Sequence, residues 1–301
     1  MDRNVAEVCW SDEQWSRVQK TVQTEAQKAR VAAQFLPTVM QPDVTAVAVP
    51  DRLLTVDLAA RQAPTQRLVV DSAPATFLTS FGVNLALTSQ EVADPEQNAA
   101  LIQFRRAANL IARLEDALIF GGQPGAGQPP FGVAALPQVF DVGYGGAQPG
   151  LAVIAPPPPQ APVYLPRQEQ TIAPGPRPGN NLAQAIIDSI GLLEDAGHNR
   201  PFACVLGQRR FSDLHTPTDS MVLPRDRVVP FLEGPLLRSS TIPTDTGIVV
   251  ALGGSPLEIV VSSELHVRFL QVTTEPRFVF RISERIALRV TDWSAVVVLH
   301  P

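Results

Sequence analysis

The sequence predicts an α+β fold. Long amphipathic helices with recognisable start signals stand in the first two thirds of the chain, and short apolar, β-branched segments separated by turn residues fill residues 248–299. The first helix opens at Ser11-Asp12-Glu13-Gln14, a capping box with Ser11 as N-cap and Gln14 reaching back. It places Trp15, Val18, Val22, Ala26, Ala29, Ala33 and Leu36 on one face, and Pro37 is expected to stop it. Residues 50–75 mix short apolar and polar pieces with little to bury, and read as an extended two-stranded excursion. Residues 76–88 read as a strand. The second long helix starts at Asp94-Pro95-Glu96-Gln97, with Asp94 as N-cap and Pro95 in the first helical position. It carries Leu101, Phe104, Ala108, Ile111, Leu114 and Leu118 at three- and four-residue spacing and ends at Gly121-Gly122. A third helix, 182–196, is capped by Asn180 or Asn181 and closed by Gly197; a strand at 202–206 and a short helix at 208–214 follow. Five strands are expected after that, at 248–252, 257–261, 266–270, 278–282 and 295–299. Turns at Gly253-Gly254, Ser262-Ser263 and Thr273-Thr274 separate them.

Composition excludes several classes. The chain has 301 residues with 24 basic and 29 acidic side chains, a formal charge of −5, so no bulk positive field holds nucleic acid or an anionic membrane. Cys9 and Cys204 are the two cysteines, far apart and outside any CxxC pair, which argues against a disulfide framework and a cysteine zinc site. No run of apolar residues is long enough to span a bilayer, and Met1-Asp2-Arg3-Asn4 does not start like a secretory signal; a cytoplasmic location is expected. Fourteen of the 29 prolines fall in residues 123–180, with nine glycines and four charged residues. That stretch cannot be helical. It reads as a linker between two domains or as a long structured insertion.

Catalytic chemistry is nearly silent. His198, His215, His266 and His300 have neither ligand spacing nor a carboxylate partner in sequence, so no metal is expected. Residues 122–127 (GQPGAG) lack the Lys-Ser/Thr and the helix start of a phosphate loop. Glu115-Asp116 reads as a solvated or capping pair, and Cys204 as a buried, inert thiol. No catalytic residue and no cofactor are assigned; an enzyme of small molecules on the mixed sheet is the second alternative.

One pattern is informative. Residues 114–122 (LEDALIFGG) resemble the glutamate–isoleucine–phenylalanine–glycine helix end of the encapsulins, shell proteins with the tailed-phage major-capsid fold. The likeness extends in order through Asp12-Glu13-Gln14-Trp15, residues 181–215 and residues 257–299, which include Glu264-Leu265-His266-Val267 and the closing Trp293-Ser294-Ala295. The resemblance implies an N-terminal helix and arm (1–47), an extended loop (48–75), a peripheral domain (76–122 and 251–301) and an axial domain (123–250) carrying the insertion 123–180. It also implies a homo-oligomeric icosahedral shell that holds a cargo enzyme by a terminal targeting peptide and admits small substrates through pores. Carried over position by position, the cargo-binding residues are Val22, Ala26, Ala29, Ala33, Leu36, Ile259 and Val261, unless that stripe faces the subunit's own core. The loop at His215, Thr216, Thr218, Asp219 and Ser220 falls where a pore loop lies, a plain surface loop being the alternative. Residues 87–91 lack the tryptophan by which some members bind flavin. Some phage shells crosslink through a lysine on the extended loop; here Lys20 and Lys28 are the only lysines, so the shell is expected to be held non-covalently. A phage major capsid protein that packages DNA is the first alternative.

Overall fold

The first helix, α1 (Asp12–Ala29), carries the expected box: the Gln14 amide donates to Ser11 Oγ (3.3 Å) and the Ser11 amide to Gln14 Oε1 (3.0 Å). It stops well before Pro37, because the Asp116 carboxylate takes the next backbone donors. The amides of Val31 (3.0 Å) and Ala32 (2.9 Å) both point at it, and the chain turns through a 3-10 segment, Ala32–Gln34. The computed structural model describes residues 8, 10–57, 67–72, 74–125, 127–131, 140–143, 145–153, 167–217 and 222–301.

Strands β1 (Thr38–Met40), β2 (Ala48–Pro50), β3 (Leu53–Asp57), β4 (Arg67–Asp71), β5 (Ala75–Phe77) and β6 (Thr79–Thr88) follow. A short helix that sequence reading missed, α2 (Ser89–Ala93), is opened by a second capping box, Thr88 with Glu91. The long helix α3 (Asn98–Gly121) begins later than expected. Asp94 spends its carboxylate on the amides of Glu96 and Asn98 (3.0 Å each), capping a turn, and Gln97 sits at φ +57° as the actual entry. Three short strands come next: β7 (Gly122–Gln123), β8 (Phe140–Val142) and β9 (Gln148–Pro149). Next come β10 (Gln168–Thr171) and α4 (Pro178–Asp195), which takes Pro178 at its first turn instead of an Asn180 or Asn181 cap. Strand β11 (Phe202–Leu206) and α5 (Gln208–Leu214) form as expected; α6 (Pro224–Leu232) and β12 (Glu233–Arg238) were not anticipated. The chain closes with β13 (Gly247–Ala251), β14 (Leu257–Val272), β15 (Arg277–Val290) and β16 (Val296–His300). The strands expected at 257–261 and 266–270 are one strand: Ser262-Ser263 is a register shift opposite β15 that bends the strand without ending it.

The strands divide between two principal sheets, of order β1-β14-β15-β6-β8 and β10-β16-β13-β11-β12, while β3 and β4 form a separate hairpin. Sheet membership crosses the expected domain bounds at two places. Residues 296–300 pair with 168–171 and 247–250, and residues 140–142, from the proline-rich insertion, pair with β6 in the first sheet. The apolar runs of β13 and β16 explain the division. Ile248, Val250, Val296 and Val298 face the core of α1, α3 and the first sheet, whereas Val249, Val297 and Leu299 face a second core under α4, α5 and α6. A strand buried on both faces is continuously apolar rather than alternating. The proline-rich stretch, read as a linker or a structured insertion, is tied to α3 where it is described: the amides of Leu151 (2.9 Å) and Ala152 (2.8 Å) bond the carbonyls of Ile119 and Phe120 at the helix end. Residues 132–139 and 154–166 of the insertion lie outside the described residues.

Candidate functional site

The stripe on α1 is core. Val22 and Ala26 are fully buried, and Leu36, Ile259 and Val261 nearly so, all within the cluster that joins α1, α3 and the first sheet. These five side chains thus take the alternative already stated for the stripe, the subunit's own packing, and of them Val261 also borders open space. Ala29 is half-buried and Ala33 is exposed. What the stripe does is hold α1 so that its other flank becomes a wall.

That wall bounds a cleft of about 620 Å3 between the end of α1, the turn after it, the edge strand β1 and the middle of β14. Ala33, Met40, Val261 and Leu265 supply its apolar surface; Gln23, Gln27 and Gln34 rim it with amides. Of the expected cargo residues, Ala33 and Val261 line it. Met40, half-exposed, was missed, because a three-residue edge strand leaves no periodicity to read. The wall is pinned by Gln19, which donates to the Leu265 carbonyl (2.7 Å) and accepts the Val267 amide (3.1 Å), a two-way amide bond between helix and strand. At the N-terminal end Trp10 stacks on Phe280 (5.0 Å between centroids) and donates its indole N–H to the Val92 carbonyl (2.9 Å).

The floor is charged. Arg30 donates to both oxygens of Glu284 (2.6 and 2.7 Å) and also pairs with Glu115. Glu115 and Asp116 are thus neither solvated nor capping their own helix: both are buried, and Asp116 caps the turn after α1. Burial pushes all three carboxyls above the usual range. Asp116 reaches about 7 despite the Ala32 and Val31 amides and the nearby Arg30 that oppose the rise. Glu115 is raised by burial and by the charge of Glu284, against the pull of Arg30; Glu284 is raised by burial against the same guanidinium.

The second expected site is less complete. His215 stacks on Phe211 (4.3 Å) and donates Nδ1–H to the Phe211 carbonyl (2.7 Å), which leaves Nε2 to accept from Arg225 (3.1 Å). Thr216 is exposed, its hydroxyl donating to the Ser212 carbonyl (3.0 Å). Thr218, Asp219 and Ser220 lie outside the described residues. Arg225 was missed because α6 itself was missed.

One cluster imitates a catalytic triad. His198 Nε2 lies 2.9 Å from Ser294 Oγ and 3.6 Å from Asp292, while Ser294 donates its hydroxyl to Asp292 (2.7 Å). Serine and carboxylate meet the same ring nitrogen, so Asp292 does not orient the histidine from behind as a triad carboxylate does. Asp292 instead caps the 3-10 turn Trp293–Ala295. Burial raises the Cys204 thiol pKa well above its ordinary value, keeping it protonated. Among the described residues no group of three or more His, Cys, Asp or Glu side chains is placed to hold a metal, and no helix is long and apolar enough to cross a membrane.

Comparison with known proteins agrees with the resemblance. Residues 165–287 match the family model described as an encapsulating protein for peroxidase. The type 1 encapsulin shell protein EncA of Myxococcus xanthus is 27% identical over 124 residues, which are 41% of this chain and 42% of that protein; the chain thus spans under half the length of the curated relative it matches. The virus-like particle protein of Pyrococcus furiosus superposes with a TM-score of 0.66 at 12% identity, over 96% of this chain and 100% of the other. The capsid of Myoviridae phage XM1 gives 0.57 at 13% identity, over 89% and 90%. The SrpI encapsulin of Synechococcus elongatus gives 0.53 at 11%, over 89% and 85%. The fold is therefore that of encapsulins and tailed-phage capsids, and the sequence likeness within it is to the encapsulins.

Proposed function

We propose that this chain is the shell subunit of an encapsulin-type compartment in the cytoplasm, non-catalytic itself, whose copies close into an icosahedral particle. The observation that carries this reading is the encapsulin sequence match over 165–287 inside a fold shared along nearly the whole chain. The exposed apolar hairpin supports self-association: Leu68, Val69 and Val70 on β4 are 65, 42 and 53% exposed, a surface that a neighbouring subunit would cover. The cleft beside α1 is the proposed dock for the targeting peptide of a cargo enzyme. Its edge strand β1 ends the first sheet, so an extended peptide can add there as a further strand while Ala33 and Met40 receive its apolar side chains. The loop after His215, with Arg225 beside it, is the proposed pore lining.

The phage capsid reading shares the fold, as the XM1 superposition supports. Negative-stain microscopy and the contents of purified particles separate the readings. Closed spheres holding a co-purifying enzyme, lost when Ala33→Glu blocks the cleft, are expected; spheres holding DNA would favour the phage protein, and a monomer or small oligomer would sink both.

A further inference from the structure

The face of the first sheet opposite α1 and α3 carries a second cleft, of about 420 Å3. Strand alternation builds it. On β15 the side chains of Phe280, Ile282 and Ile286 enter the core, so Arg281, Ser283 and Arg285 stand on the other face. On the neighbouring β14, Arg268 pairs directly across from Arg281, and His266 across from Ser283. Like charges opposite each other on adjacent strands are destabilising unless something neutralises them.

The neutralisation in the structure is partial. Arg281 pairs with Asp141 (3.1 Å) and donates to Asn84 (2.8 Å). Among the described residues, Arg268 and Arg285 meet no carboxylate. Arg268 reaches only His266 Nε2, at 3.5 Å, and Arg285 reaches only the Val44 carbonyl, at 3.3 Å, with its Nε buried and without an acceptor. His266 Nδ1 lies 2.9 Å from the Glu264 carbonyl, and its Nε2 lies 3.2 Å from the Ser283 hydroxyl. The cleft therefore gathers three guanidinium forks and serine hydroxyls around a concave space whose two acidic lining residues are already engaged, Asp141 with Arg281 and Glu284 with Arg30.

We infer that this cleft binds an oxyanion of the phosphate class, either the free ion or the phosphate of a small organic ester. Guanidinium forks match the oxygens of such an anion in pairs, and the anion removes the repulsion between Arg268 and Arg281. The site is distinct from the cargo cleft, which lies on the α1 side of the sheet, and does not depend on the shell reading.

Calorimetric titration of the purified protein in phosphate-free buffer tests it, with inorganic phosphate and glycerol phosphate as probes. Saturable binding near one ion per chain is expected, weakened about tenfold or more by Arg268→Gln and by Arg285→Gln and unchanged by Arg105→Gln on the exposed face of α3. Arg268→Lys, which keeps the charge and loses the fork, gives an intermediate loss and serves where a glutamine variant does not fold. Tighter binding of the ester identifies an organic phosphate as the ligand, equal binding the free ion. Absence of saturable binding, or an equal loss in Arg105→Gln, overturns the site.

Discussion

Arg30 is the guanidinium on which the buried carboxylates Glu115 and Glu284 depend, with Asp116 alongside. Removing it leaves those charges buried without a partner, so Arg30→Gln is expected to lower stability by about 3–5 kcal/mol, read from the denaturant midpoint. The same cluster sets a pH dependence. The Asp116 carboxyl is raised from its ordinary value to about 7 by burial, so the folded chain takes up a proton that the unfolded chain releases near pH 4. Its contribution is complete below the unfolded value and is lost as pH rises through 7; the raised Glu115 and Glu284 act in the same direction. Stability should fall between about pH 4 and 7, by at most about 1.4 kcal/mol per pH unit for each proton, and Asp116→Asn should flatten the slope. A midpoint rising over that range would contradict it. That Glu115-Asp116 closes a helix was readable from the motif. That the pair is buried and holds the far end of α1 was not, because Val31 and Ala32 are separated from Asp116 by more than eighty residues.

At the next level up, α1 and α3 were legible because capping chemistry and the period of 3.6 are local. Their boundaries were not: a distant carboxylate shortened α1, and Asp94 capped a turn before α3. The hairpin of β3 and β4 was legible as an excursion with little to bury, and its exposed apolar residues now define a test. Leu68→Asp with Val70→Asp should leave subunit secondary structure intact by circular dichroism yet abolish large particles in size exclusion. Particles of unchanged size would remove this hairpin from the assembly contact.

For the molecule as a whole, the two lysines lie on α1 and none follows Lys28, so no lysine is available on the extended loop for an isopeptide crosslink. Heating in denaturant should release only the 32.4 kDa chain on a gel, and a ladder of covalent multimers would refute non-covalent closure. The strands of residues 248–299 were legible one by one, but their division between two sheets was not. Adjacent segments of like composition diverge here, with β13 and β16 in the sheet between the two cores and β14 and β15 in the other.

Local chemistry thus determined the α+β class, the capped helices, most strands and the order of motifs that resembles the encapsulins, since each depends on neighbours within a few residues. Sheet membership, the end of α1, the burial of the carboxylate cluster and the facing arginines on β14 and β15 were decided only by tertiary structure. Each of these depends on which distant segments pack together, and the free energy that selects them, burial on both faces of a strand or a carboxylate satisfied by remote amides, is absent until the chain has folded.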